Sequence, residues 1–353
     1  MTNSVAIYFN KIVVTWPSLL IFLGILACIT MTLTLWKPKN RSSAGLWLFF
    51  LLALVLGFFF SRGLHWYFNK ETYVSSFGAG DFASFRKAFT DFSIGSYSLP
   101  GVMIGVLLAA GIVSLLGYVS KPGRLLDFAA PGLLLLVALI RLSSFFNSSC
   151  RGKRPVTLSL LQRLPFCVAV TDAAGNVSYR LAVFFLEFLL LMIAFFVVLA
   201  FFLRKRNAEL YEPCGLTGHV WRRYLLYYSC IEILMDSLRT DKPLMHFSYL
   251  TSLNAYSAFI SFAQVTSAFF LAYVFIYYVV SSARVNRFRW KHLLSILVFV
   301  VSLVGVGFFG EYSIQRYGST VTGYISMIVS LIAVIVNVKL LYRSCEPQED
   351  LYD

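Results

Sequence analysis

The 353-residue chain is 59% hydrophobic and 17% aromatic, with only 13% charged residues and a formal net charge of +14. Soluble domains carry about 25% charged residues, so lipid rather than water is the solvent for most of this surface. The basic residues sit in short segments between apolar runs, where they set membrane orientation, and do not point to nucleic acid. The six cysteines (Cys28, Cys150, Cys167, Cys214, Cys230 and Cys345) show neither metal-ligand spacing nor a CxxC pair, so zinc and thiol redox chemistry are not indicated and no cofactor is expected.

A bilayer-crossing helix takes about 20 mostly apolar residues. Nine runs approach that length: Ile12–Trp36, Ala44–Phe68, Ser96–Val119, Leu125–Phe146, Leu181–Leu203, Tyr224–Arg239, Ser261–Ser281, Leu293–Phe309 and Val321–Tyr342. They predict an all-α integral membrane protein, a polytopic bundle of about nine transmembrane helices. The first run is too long for a cleavable signal. The sixth is short, and the polar-aromatic stretch from His246 to Tyr256 after it reads as a surface segment.

Two connecting segments carry their own structure. In Asn69–Gly95, Phe82, Phe85, Phe89 and Phe92 recur at 3-4-3 spacing, which predicts an interfacial helix with an aromatic face. The second, about 147–180, reads as a small external cap in which Cys150 and Cys167 are disulfide candidates at an unknown distance. Basic residues such as Lys37, Lys39, Arg41, Arg204, Lys205, Arg206, Arg284 and Arg287 favour an N-terminus outside and a C-terminus in the cytoplasm. Arg151, Lys153, Arg154 and Arg163 run against that bias. Either they hold an anionic headgroup or a longer external loop tolerates them.

Ionisable groups within spanning helices are costly and mark functional sites by default. Here they are Arg62, Asp127, Arg141, Glu187, Glu232, Asp236 and Arg239. In the assigned orientation all but Asp127 lie toward the outer face. Glu232, Asp236 and Arg239 stack on one side of their helix at i, i+4, i+7. The competing reading is that three acids and three arginines only neutralise each other, or that end residues such as Arg62 and Arg239 snorkel to the interface. Six charges converging on one face favour a polar pocket whose arginines clamp a phosphate.

The stretch Asp127-Phe128-Ala129-Ala130-Pro131, followed by Arg141, Phe145, Asn147 and Gly152, resembles the signature helix of the bacterial prolipoprotein diacylglyceryl transferases. Gly101 with Ile104-Gly105 resembles the family's glycine-rich third helix, and Glu187 resembles the acid closing its His-Pro-x-Gln-Leu-Tyr-Glu run. Asp236, Arg239 and Asp241 resemble its late acid and arginine, and Ser261-Phe262-Ala263-Gln264 its Ser-Met-Gly-Gln run. The chain departs from the family at Pro17, Pro100, Ser149 and Glu232, where tyrosine, histidine, glutamate and arginine are usual, and it lacks the fifth-helix His-Pro. The resemblance implies a seven-helix transferase domain over residues 1–281 and two additional helices with a cytoplasmic tail over 282–353.

It further implies a bacterial plasma-membrane enzyme that moves the diacylglyceryl group of phosphatidylglycerol, or a similar anionic phospholipid, onto the thiol of a lipobox-containing prolipoprotein. Such chemistry needs a base and a cation for the leaving phosphate. Arg141 first, then Arg239, with Arg62, Asn147 and Gly152, are the expected substrate-binding residues. Glu232, Asp236 and Glu187 are the candidate bases, and His65 and His246 are fallbacks. The alternative is a catalytically impaired paralogue acting as a phospholipid-binding or accessory membrane protein. A transporter ranks third, because no internal repeat of broken helices is present.

Overall fold

The computed structural model describes residues 5–9, 12–36, 43–68, 81–90, 97–146, 150–157, 159–171, 175–209, 218–239, 260–316 and 320–345. It is an all-α polytopic architecture with two small sheets, and it divides into two compact units, Met1–Tyr224 and Leu225–Asp353. Each of the nine apolar runs contains a helix. Among the described residues, seven helices are long and apolar enough to cross a bilayer. Leu99–Leu115 is short for a span, at 17 residues, and His219–Leu238 is interrupted by Arg222, Arg223, Glu232 and Asp236. Lys37, Lys39, Arg41, Cys214, His246 and the Asn69–Gly80 part of the aromatic segment lie outside the described residues.

In the first unit, strands β1 (Val5–Phe9) and β2 (Ile12–Thr15) form an antiparallel hairpin that leads into helix α1 (Trp16–Trp36). The first run therefore turns helical four residues later than its hydropathy suggests: Ile12-Val13-Val14-Thr15 is a β-branched stretch that suits an extended backbone. Helix α2 (Ala44–Phe68) pairs with α4 (Leu99–Leu115). The two run antiparallel, with Gly45 beside Tyr118 at one end and the Ser98 N–H donating to the Ser61 carbonyl at the other. Glycine allows the contact. A Cβ on Gly105 would lie 2.4 Å from the Gly57 nitrogen, and one on Gly101 2.5 Å from the Phe60 carbonyl oxygen. Small residues let helix backbones touch where lipid offers no hydrophobic drive to associate.

Helix α5 (Pro122–Ser143) is the centre of this unit, with 72% of its spanning window buried against 22–39% for the other spanning helices. On one side α1 runs antiparallel to it, Gly132 resting on Cys28 and Gly24 on Leu136. On the other lies α6 (Val183–Glu209), with Phe128 edge-on to Phe202. The outward faces of these helices stay apolar and exposed (Leu51, Phe59, Phe196), as a lipid-facing surface requires.

The expected aromatic helix is α3 (Asp81–Thr90). Its half-buried Phe85 packs edge-on against Trp66 at 5.0 Å, and its half-buried Phe89 lies 5.3 Å from Phe59. The Trp66 Nε1–H donates to the Ser84 hydroxyl at 3.1 Å, fixing the same face. Phe82 is exposed, and Phe92 lies outside the described residues. The cap is a three-stranded antiparallel sheet, β3 (Arg151–Pro155), β5 (Val177–Ala182) and β4 (Cys167–Thr171), with β5 in the middle. Cys150 and Cys167 both remain thiols, and no disulfide joins them. Partial burial pushes the Cys167 thiol above its ordinary value.

The unit boundary falls within helix α7 (His219–Leu238). The second unit holds the remainder of α7, helix α8 (Phe262–Asn286), helix α9 (Trp290–Val304) and helix α10 (Thr320–Arg343). Helix α8 opens with a capping box. The Ser261 hydroxyl accepts from the Gln264 N–H at 3.1 Å, and the Gln264 Oε1 accepts from the Ser261 N–H at 3.0 Å. Phe275 of α8 stacks on Phe299 of α9 at 4.0 Å, and the Asn337 amide of α10 donates to the Ser295 carbonyl at 2.8 Å. Beyond Val304 the helix widens into a π-turn, Gly305–Tyr312, and stays helical to Arg316, well past the Phe309 end expected from hydropathy.

If the glycine contact joins α2 to α4, Gly105→Ala should destabilise the protein by more than about 2 kcal/mol, because backbone must move. Gly111→Ala, with open space around it, should stay within about 0.5 kcal/mol. Unfolding of both variants in detergent micelles checks the difference.

Candidate active site

Arg141 lies in the last turn of α5 and Glu187 in the second turn of α6, where the antiparallel pair brings the two ends together. The Arg141 Nε stands 2.6 Å from Glu187 Oε1, and both residues are buried, at 7% and 1% exposure. A buried charge of either sign is tolerated in such surroundings only when matched. The cap closes over the pair. The Phe184 N–H donates to the Cys150 carbonyl at 3.2 Å, and the Cys150 sulfur lies 3.9 Å from Arg141 Nη1 and 3.7 Å from the Ser144 hydroxyl. Cys150 adopts φ +56°, a left-handed conformation that costs a non-glycine residue energy and so marks a turn held by its surroundings.

Arg62 lies where α2 ends beside the start of α4, next to the Ser61–Ser98 hydrogen bonds. It is 1% exposed, and its guanidinium sits 4.6 Å from the Tyr97 ring and 6.0 Å from the Phe58 ring. The rings meet the cation from their negative faces, so Arg62 is an interior residue and does not snorkel to the interface. Gly152 has a packing reason: a Cβ there would lie 2.8 Å from the Leu181 Cβ across the β3–β5 pairing. Asn147 lies outside the described residues.

Asp127 occupies the opposite end of α5 and acts on a backbone. Its Oδ2 accepts from the Gly218 N–H at 2.6 Å and its Oδ1 from the Trp221 N–H at 2.8 Å, capping the start of α7. Two of the donors that a helix start leaves without intrahelical partners are thereby satisfied, by an anion at the positive end of the helix dipole. Gly218, at φ +96°, makes the turn. This explains why α7 begins five residues before the Tyr224 start read from hydropathy. Pro131 lacks the N–H that would bind the Asp127 carbonyl within α5.

In the second unit Asp236 and Arg239 form an i, i+3 ion pair at 3.4 Å near the end of α7, with Asp236 2% exposed. Asp236 Oδ2 also accepts from the Ser261 hydroxyl at the start of α8. Glu232, one turn earlier, is 2% exposed. The structure thus brings the predicted residues together as Arg141 with Glu187 and as Asp236 with Arg239, each pair within its own unit.

The family model for prolipoprotein diacylglyceryl transferases matches residues 4–280. The chain belongs to the prolipoprotein diacylglyceryl transferase family. Among its relatives, the phosphatidylglycerol–prolipoprotein diacylglyceryl transferase of Streptococcus equi subsp. zooepidemicus is 24% identical over 249 residues, 69% of this chain and 86% of the relative. The proteins of the same name from Streptococcus pyogenes serotype M5 and Streptococcus mutans are 25% and 24% identical, each covering 68% of this chain and 85% of its own. With its spanning helices, this family member is a multi-pass bacterial membrane protein. Two functional features escape a sequence reading. The cap made by Asp127 joins residues 91 apart; its faint signals are an acid in an otherwise apolar helix and a glycine before an amphipathic one. The other is Glu311, two residues beyond the Phe309 end of the eighth apolar run and buried in the structure.

Asp127→Ala should cost about 1–2 kcal/mol through the lost cap. Asp127→Asn, which keeps one acceptor oxygen, should cost less. Amide hydrogen exchange in the first turn of α7 should rise in the same order.

Proposed function

We propose that this chain transfers the diacylglyceryl group of phosphatidylglycerol to the cysteine thiol of a lipobox-containing prolipoprotein. The observation that carries the reading is the family match over residues 4–280. It favours turnover over a phospholipid-binding or accessory role. In the transfer, the thiol sulfur forms a bond to the glyceryl carbon, and the bond from that carbon to the phosphate oxygen breaks. The electron pair leaves with glycerol phosphate, and the thiol proton passes to a base.

Arg141 is the first phosphate ligand. Glu187 Oε1 stands 2.6 Å from its Nε, and an arginine fork suits phosphate geometry. Arg239, oriented by Asp236, is the second candidate, and Arg62, held against the Tyr97 ring, is the third. The base is drawn from Glu232, Asp236 and Glu187, all of which are buried. Asn147 and Gly152 complete the expected substrate-binding set, Gly152 by letting the cap strand approach β5. The proposed topology has the N-terminus and the cap on the outer side and the C-terminus in the cytoplasm. The transferase-like domain is residues 1–281, followed by two additional helices.

Vesicles containing the wild type should move radiolabelled diacylglyceryl from phosphatidylglycerol onto a lipobox peptide, and Arg141→Ala should lower that rate at least about 100-fold. Normal turnover in the variant would sink the assignment of Arg141. Failure of the wild type to rescue cells depleted of their own transferase would sink the enzymatic reading.

A further inference from the structure

The family match ends at residue 280, yet a residue beyond it is wired into the acid–arginine pair of the second unit. Glu311 sits on the π-turn Gly305–Tyr312 and is 2% exposed. The π-turn packs closely against α10, where a Cβ on Gly305 would meet the Ser330 hydroxyl and one on Gly310 the Met327 side chain. Single π-turns inside helices shift the register of the residues after them and recur at functional sites. Glu311 Oε2 accepts from Gln264 Nε2 at 3.1 Å, and the same amide reaches the Ile233 carbonyl at 3.4 Å.

The hydrogen bonds continue from Gln264 through Ser261 to Asp236. Gln264 Oε1 accepts from the Ser261 N–H, and the Ser261 hydroxyl accepts from the Gln264 N–H. The Ser261 proton therefore points to Asp236, and Asp236 holds Arg239. Each residue in the series fixes the orientation of the next.

We propose that Glu311 is a positioning residue for the Asp236–Arg239 pair, so that the π-turn of the appended helix is part of the transferase machinery. The proposal rests on the transferase reading above. Glu311 contributes an acceptor that stands still. Without it the Gln264 amide loses a partner, Ser261 loosens, and Arg239 is no longer aimed.

The test compares full-length Glu311→Leu, Glu311→Asp, Glu311→Gln and Asn337→Leu in phosphatidylglycerol nanodiscs, with kcat and KM per folded protein. Asn337→Leu removes a comparable buried hydrogen bond between α9 and α10 outside the series. Glu311→Leu should lower kcat at least about tenfold, and Glu311→Asp, the variant to rely on if the leucine protein does not fold, about threefold or more. Glu311→Gln keeps an acceptor oxygen and should stay within about threefold of wild type, as should Asn337→Leu. Unchanged kcat in both Glu311→Leu and Glu311→Asp overturns the proposal. So does a loss in Asn337→Leu equal to that in Glu311→Leu, which would mark a structural role. If the wild type itself fails to turn over, the transferase reading falls, and phosphatidylglycerol retention by native mass spectrometry is read in the same variants. The same ranking there supports positioning of Arg239, and equal retention overturns it.

Discussion

Removing a charge from water inside an apolar bundle costs several kcal/mol per ion, and the whole of the first unit is arranged around meeting that cost. Arg141 is answered by Glu187, Arg62 by the faces of Tyr97 and Phe58, and Asp127 by the backbone N–H groups of Gly218 and Trp221. Each solution demands a particular neighbour at a particular depth. Arg141 can meet Glu187 only if α5 ends where α6 begins, so the ion pair fixes the alignment of two helices and the strands that join them. Losing either partner leaves a buried charge unmatched, a larger penalty than the net worth of the pair.

Close backbone approach is what makes those depths reproducible. Gly57, Gly101 and Gly105 set the α2–α4 spacing, and Gly24 and Gly132 set α1 against α5. Shape, rather than hydrophobicity, decides how far one helix slides along another when the solvent is as apolar as the side chains. With α2 registered on α4, Ser61 meets Ser98 and Arg62 lies beside Tyr97. A local steric property, the absence of a Cβ, thus determines where a neighbouring cation sits.

The helices were legible because 3.6-residue geometry and bilayer thickness act on runs of about 20 residues. The Phe85–Phe89 face of α3 was legible for the same reason, though its partner was not: spacing shows that a face exists, and only packing shows that Trp66 and Phe59 cover it. Strand β2 was hidden inside an apolar run, since Ile12 to Thr15 suit a strand as well as a spanning helix. The pairing of Arg141 with Glu187 was readable as a shared helix end and not as a bond, because sequence gives depth but not azimuth. Cys150 and Cys167 show the same gap: a common segment did not make a common disulfide. Glu311 was invisible because its role depends on the π-turn, whose extra residue per turn breaks the periodicity by which helix faces are recognised.

Pro100 and Asp236 together constrain how the chemistry is divided. Pro100 stands where the resembling family has a histidine, in the first turn of α4, a position that tolerates its missing N–H. Its side chain has no proton to give or take, so in the proposed transfer the base is another group. Asp236 spends one oxygen on the Ser261 hydroxyl and the other on Arg239. Accepting on both sides, it is suited to aiming a cation more than to receiving a thiol proton. In the proposed transfer Asp236 is thereby an orienting group for Arg239, as Glu187, 2.6 Å from Arg141, is for that arginine.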